Sequence, residues 1–240
     1  MKFSILTPSF NSGRYLKRMI TSVTAQTYGN WEHIVQDGFS TDDTKTILAA
    51  NPQIDWISRP DSGQSEAMNS AFQRSTGDII IYLNADDELR PDALENYHKC
   101  FQANPEIDMV VADLEIDHSG QKTLNRPSTD LQKILHYWPC VFPANPVSYA
   151  YTRTLQEKVG VFPAENHFTM DYWFLLRAIL KGRVIQKDFT GGTFYFDGQN
   201  KSANADNSRL WLKIVRDDFL FRYFYYPQVG RFILRQLLSR

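Results

Sequence analysis

Two cysteines in 240 residues leave no room for a disulfide framework, and Cys100 and Cys140 show none of the spacings of a metal or redox motif. The basic excess of a nucleic-acid binder is missing as well: 26 Lys and Arg face 27 Asp and Glu, a formal net charge of -1. No run of about 18 apolar residues marks a membrane-spanning helix. The opening MKFSILTPSF is interrupted by Pro8 and polar residues before it reaches the length of a signal-peptide core. No GxGxxG follows the first apolar run, where TPSFNSGRYL holds one glycine, and neither GxxxxGKS/T nor GxSxG occurs. These absences argue against a dinucleotide dehydrogenase, a P-loop NTPase and a nucleophile-elbow hydrolase. Internal repeats and low-complexity segments are also lacking. The chain reads as an ordinary globular protein of the cytoplasm.

The apolar patterning alternates between two periods through the first hundred residues. KFSILT, WEHIVQD, IDWIS and DIIIYLN read as strands. Between them lie helical segments. SGRYLKRMITSVTAQ carries Leu16, Ile20 and Val23 on one face, STDDTKTILAA is capped by Ser40 or Thr41, and SGQSEAMNSAFQRSTG is closed by Gly77. RPDALENYHKCFQAN follows with Pro91 in its first turn. This alternation predicts an α/β fold with a mostly parallel central sheet flanked by helices. Beyond about residue 107 the rhythm changes. IDMVVADLEID and KTLNR predict a hairpin turning at Ser119-Gly120; STDLQKIL is a short helix, PANPVSYAYT is extended, FTMDYWFLLRAILKG is a buried helix and RVIQKDFTGGTFYF a strand.

In such sheets ligands sit beyond the carboxyl ends of the strands, so the chemistry is sought there. The stretch IIIYLNADDEL runs a buried strand straight into Asn84, Ala85, Asp86, Asp87 and Glu88. A carboxylate pair at such a position can hold Mg2+ or Mn2+ together with substrate phosphates; alone, it equally reads as an acidic helix start. Asp37 before Gly38 can accept a hydrogen bond from a base N–H, or simply form an Asp-Gly turn. DSGQSEAMN, Asp61 to Asn69, offers a helix N-terminus to an anion or an ordinary cap. Asp171, at the start of an aromatic-rich helix, reads as a general base, as a helix cap or as a partner of Arg177.

The order of these pieces resembles the family 2 glycosyltransferases, which have the GT-A nucleotide-diphospho-sugar transferase fold. The resemblance is carried by SILTPSFNSGRYLKRMITSVTAQTYGNWEHIVQDGFSTDDT, SRPDSGQSEAMNSAFQRSTGDIIIYLNADDEL and VGVFPAENHFTMDYWFLLRAILKG, most of residues 2 to 182. PDSGQSEAMN looks like the bacterial branch that builds surface polysaccharides and lipid-linked oligosaccharides. The resemblance implies that Thr7, Pro8 and Phe10 lie beside the base and ribose, and that Asp37 reads the nucleobase, usually uracil. It implies that Asp61 and Asn69 lie near the ribose and diphosphate, and that Asn84-Ala85-Asp86 takes the D-x-D position. Asp86, with Asp87 beside it, is then the ligand of a divalent cation, Mn2+ or Mg2+, and Asp171 the catalytic base of an inverting transfer. The donor is a nucleotide sugar, usually a UDP-sugar, and the acceptor a saccharide or lipid-linked hydroxyl. Three positions depart from the pattern: Asn84 replaces an acid, Gln36 stands where many members have a second aspartate, and Glu66 stands where Asp is frequent. The rival readings are a related sugar-nucleotidyl-handling enzyme and a non-catalytic sugar-nucleotide-binding protein.

The expected organisation is a catalytic domain over residues 1–205, with a nucleotide half to about 106 and an acceptor half from about 107, and a helical tail over 206–240. From Arg209 to Arg240 seven basic residues meet two acidic ones, and FLFRYFYY places six aromatics in eight positions. Val229, Ile233 and Leu237 share one helical face, with Arg231 and Arg235 four apart. Such a segment can lie on a membrane surface, making the protein peripheral at the inner face of the cell membrane. It can equally pack on the catalytic domain or pair two subunits. WPCVFPANP and YFDGQNKSANADN are candidate acceptor loops.

Overall fold

The computed structural model describes residues 1–136, 145–197 and 205–238, with 205–208 described by backbone alone. The first half alternates β1 (Phe3–Ser9), α1 (Gly13–Thr24), β2 (Trp31–Asp37), α2 (Thr44–Ala49), β3 (Ile54–Ser58), α3 (Gln64–Arg74) and β4 (Ile79–Tyr82). A two-residue strand, β5 (Glu88–Leu89), and α4 (Ala93–Ala103) complete it. Then come β6 (Met109–His118), β7 (Gln121–Asn125), α5 (Leu131–His136), β8 (Tyr149–Thr152), α6 (Arg153–Val159), α7 (Met170–Lys181) and β9 (Val184–Tyr195). Two helices, α8 (Ala205–Tyr223) and α9 (Pro227–Leu238), form the tail.

One sheet runs through the molecule in the order β3-β2-β1-β4-β8-β6-β9-β5, with β7 on the side of β6. The expected parallel arrangement holds for β3, β2, β1 and β4, whose short helical crossovers demand it. β1 pairs with β2 residue for residue, from Phe3 opposite Trp31 to Ser9 opposite Asp37. Past β4 the sheet is mixed: β8 is antiparallel to both β4 and β6, β9 is parallel to β6, and β5 is antiparallel to β9. The β6–β7 hairpin turns where expected, with Ser119 and Gly120 both at positive φ (54° and 96°).

Strand β4 shows why its sequence is a continuous apolar run. Ile79 and Ile81, with Leu83 beyond them, enter the core under α1 and α4, while Ile80 and Tyr82 enter the opposite core under α3 and α7. Leu16, Met19, Ile20 and Val23 of α1 are buried at the spacing read from sequence. Several local details differ from the sequence reading. Helix α3 ends at Arg74 with Ser75 as its cap, so Gly77 closes nothing. Gly77 is required elsewhere: a Cβ on it would lie 2.7 Å from the Ser4 backbone nitrogen. Helix α2 starts later than expected, after Asp43, because Ser40 is held by Asp37. The extended segment expected before residue 152 begins with a 3-10 turn, Pro146–Ser148, and α6 was not anticipated.

The tail packs on the body of the protein. Leu212, Val215 and Phe219 of α8 and Val229 and Phe232 of α9 join Leu131, Ile134 and Leu135 of α5 and Tyr172 and Leu176 of α7 in a third apolar core. Leu237, read as part of the same face, stays 63% exposed. Arg177 of α7 does not pair with Asp171. Its guanidinium reaches Asp218 of α8 at 2.9 Å and lies 4.2 Å over the Trp173 ring. Among the described residues no helix is long and apolar enough to cross a membrane.

Candidate active site

The carboxyl ends of β1, β2, β3 and β4 converge on a cleft of about 610 Å³. Pro8 and Phe10 after β1, Gly38 after β2, Asp61 to Gln64 after β3, and Asn84 to Asp86 after β4 line one side. Asn145, His167 and Asp171 line the other. Residues distant in sequence meet here because parallel strands end at one edge.

The loop after β3 enters α3 through Gly63 at φ +130°, a conformation suited to glycine. Asp61 Oδ1 accepts from the Gly63 N–H at 2.9 Å. Glu66 reaches back one turn, accepting from the Ser62 N–H at 2.8 Å and the Ser62 hydroxyl at 2.6 Å. The length of the Glu66 side chain lets its carboxylate reach back past the Gly63 N-cap to Ser62.

The loop after β4 is fixed from two sides. Arg18 of α1 donates to the Asp86 carbonyl at 2.6 Å, pairs with Glu88 at 3.0 Å and lies 3.5 Å over the Tyr195 ring. From the interior, the fully buried Asp87 accepts from Asn84 Nδ2 at 3.0 Å, Asn145 Nδ2 at 2.6 Å and the Tyr195 N–H at 3.3 Å. Burial and then the neighbouring Asp86 charge push the Asp87 carboxyl well above the usual carboxylate range. Asp87, expected beside the cation, is therefore turned away from the cleft, and of the two acids Asp86 alone faces it. Asn84 in turn accepts from Gln64 Nε2 at 3.1 Å, linking this loop to α3.

Other expected site residues fall into two groups. Pro8, Phe10, Asp61, Asn84, Ala85, Asp86 and Asp171 line the cleft. Thr7, Asp37 and Asn69 lie behind it. Thr7 shares a 3.0 Å hydrogen bond with His33, whose imidazole burial lowers to about 4 and so keeps neutral. Asp37 is fully buried and accepts from the Ser40 N–H at 3.0 Å, the Ser40 hydroxyl and the Ser58 hydroxyl at 2.5 Å. Asn69 makes a paired amide contact with Phe162, donating to its carbonyl at 2.8 Å and accepting from its N–H at 2.9 Å. Asp37 thereby braces the loop after β2 and Asn69 the segment that follows α6, while the Thr7–His33 bond joins β1 to β2. The candidate acceptor loops fall largely on residues 137–144 and 198–204, outside the described residues.

Asp171 occupies the first turn of α7, where the helix dipole favours a carboxylate. Part of its surface opens on the cleft, but the protein around it is dense, and burial pushes its carboxyl up to about 6. Tyr149 of β8 opposes that shift by donating to Asp171 Oδ1 at 2.9 Å. Tyr149 escaped the sequence reading, as did Arg18 and His167, while Asn145 entered it only as part of the WPCVFPANP candidate acceptor loop. Tyr149 and Tyr151 alternate with Ala150 like any buried strand, and nothing local reveals a partner at position 171.

Among the described residues no group of three or more His, Cys, Asp and Glu side chains converges as a closed metal site. Mg2+ and Mn2+ sites at diphosphates need only one or two protein carboxylates, with water and phosphate oxygens completing the shell. The Asp86 carboxylate at the cleft fits such a shared site.

The sequence profile of Glycosyl transferase family 2 matches residues 4–181. The chain belongs to that family. It is 32% identical over 181 residues to an uncharacterized glycosyltransferase of Nostoc sp., covering 69% of this chain and 54% of the relative. It spans about half the length of the curated relatives it matches. Its fold is that of Staphylococcus aureus TarS in complex with UDP-GlcNAc, at TM-score 0.72 and 19% identity over 98% of this chain and 76% of that one. A mannosyltransferase from Pyrobaculum calidifontis in complex with GDP-Man and Mn2+ shares it at TM-score 0.64 and 17% identity, covering 99% and 80%.

An acid at position 84 would face the buried Asp87 carboxylate in place of an amide donor. Burial pushes the Asp87 carboxyl up to about 8, so Asn84→Asp should destabilise the protein by roughly 2 kcal/mol or more above that pH, where both carboxyls ionise, with the loss shrinking as the pH falls and the pair holds a proton. Urea unfolding on either side of that pH measures this; a midpoint equal to wild type on the alkaline side would refute the Asn84–Asp87 constraint.

Proposed function

We propose that this chain transfers a glycosyl group from a nucleoside-diphosphate sugar, a UDP-sugar, to an acceptor hydroxyl with inversion at the anomeric carbon. The reading rests on one observation above all: the Asp171 carboxyl, raised to about 6, opens on the same cleft as the Asp61 and Asn84–Asp86 loops. A base tuned to that range is ionised near neutrality yet basic enough to take a proton as the hydroxyl attacks. The acceptor oxygen bonds to the anomeric carbon as the bond from that carbon to the diphosphate oxygen breaks. The proton passes to Asp171, and the electron pair leaves with the nucleoside diphosphate. Asp86 would hold the divalent cation, Mn2+ or Mg2+, which supplies electrostatic stabilisation of the departing diphosphate. The UDP-GlcNAc bound by TarS favours a uridine donor, and the GDP-Man of the archaeal enzyme marks guanosine as the competitor. Family membership, and the PDSGQSEAMN branch in particular, favour a saccharide or lipid-linked acceptor in bacterial surface-polysaccharide synthesis. We assign residues 1–205 to the catalytic domain and 206–240 to its helical tail.

Asp171→Asn should leave UDP-sugar binding intact in calorimetry while lowering turnover by about 10²–10⁴-fold. Turnover near wild type would remove Asp171 as the base, and a non-catalytic binder would show no transfer or donor hydrolysis in either protein. Asp86→Ala should abolish the Mn2+-dependent increment in UDP binding; an increment of unchanged size would take the cation away from Asp86. Tyr149→Phe removes a hydrogen bond that favours the ionised Asp171, so the folded pKa rises. The acid limb of the kcat/KM profile, near pH 6 in wild type, should move upward in this variant, and an unmoved limb would show that Tyr149 does not set the base.

A further inference from the structure

Helix α9 has two faces of opposite character. Val229 and Phe232 turn inward to the third core. On the opposite side Arg231, Leu234, Arg235 and Leu238, at helical spacings of three and four, form an outer stripe. Leu234 is 60% and Leu238 86% exposed, and both arginines are exposed. The helix carries no acidic residue. Neither arginine enters an ion pair among the described residues. Both border a cavity of about 370 Å³ between α9, α5 and the end of α7, which Gln132 and Gln228 also line. Among the described residues Asp130 is the one acid at its wall, and its Oδ1 accepts from the Gln132 N–H at 2.8 Å.

We propose that the outer face of α9 is a docking surface for a bilayer bearing anionic headgroups. Arg231 and Arg235 meet a lipid phosphate at the mouth of this cavity, and Leu234 and Leu238 enter the interfacial layer. Charge selects this occupant. A second copy meeting the same face about a two-fold axis would bring arginines against arginines, with no acid on the helix to answer them. Alternating basic and apolar residues match a surface that offers phosphate and hydrocarbon together. The exposed Phe224 and Tyr225, at the turn leading into α9, add aromatic side chains of the kind that settle at headgroup level. The inference is independent of the transfer reaction, since the stripe lies outside the cleft.

Co-sedimentation of the full chain, without nucleotide, with phosphatidylcholine vesicles containing or lacking phosphatidylglycerol tests this. The expected result is partition into the anionic vesicles only, weakened by salt. Arg231→Gln combined with Arg235→Gln should lower the partition coefficient about thirtyfold, and Leu234→Ser combined with Leu238→Ser should lower it further than either single change. All four positions are exposed, and thermal unfolding verifies that the variants fold. Absence of wild-type partition into anionic vesicles overturns the proposal, as does equal partition of the arginine pair variant. A wild-type dimer in sedimentation velocity that the leucine pair variant dissolves overturns it in favour of a second copy.

Discussion

The cleft depends on a carboxylate that never reaches it. Asp87 is fully buried, and its three donors come from the end of β4, the segment before β8 and the end of β9. Burying a carboxylate without partners is costly. Paired with three donors it becomes a junction that three distant stretches of chain must satisfy together. This accounts for the amide at position 84. An acid there would remove one donor and set a second acid against Asp87, so the first position of the D-x-D segment serves the interior and the third, Asp86, lines the cleft. The departure from the family pattern is therefore a consequence of packing as much as of ligand chemistry.

Much of the first half was legible from sequence because its signals are local. Apolar periods of two and of about 3.6 alternate, and short crossovers allow only parallel pairing. The meeting of Pro8, Asp61 and Asp86 at one edge followed from that topology. The second half was less legible: β8 has four residues and β5 two, and their places depend on partners far away in sequence. Within the site, sequence could not tell Asp86 from Asp87, since adjacent residues at a strand end point in opposite directions and only the surroundings decide which is buried. Nor could it show that Asp37 and Asn69 are taken up by Ser40, Ser58 and Phe162. Polar residues that hold a loop and polar residues that hold a ligand look alike until their partners are seen.

Two opposed effects act on Asp171. Dense surroundings raise its pKa, while the Tyr149 hydroxyl stabilises the ionised form. Burial alone would raise it further, and generous hydrogen bonding alone would make it too weak a base. A single donor within a largely apolar shell leaves it between these limits. Tyr149, the donor, belongs to the second core together with Tyr151, Phe162, Met170 and Phe174, so the packing that holds the fold also fixes the partner of Asp171.

The tail reaches the same carboxylate through α7. Met170, Phe174, Leu175 and Ala178 of that helix face the sheet, while Tyr172 and Leu176 face α5, α8 and α9. Arg177 ties it to α8 through Asp218. Helix α7 is thus clamped on two sides, and the position of its first turn, where Asp171 sits, is fixed by both. A general base works only when held within a fraction of an ångström of its productive geometry. The basic, aromatic tail, which in sequence looks like an appendage, is by this packing part of what positions Asp171, the residue proposed as the base.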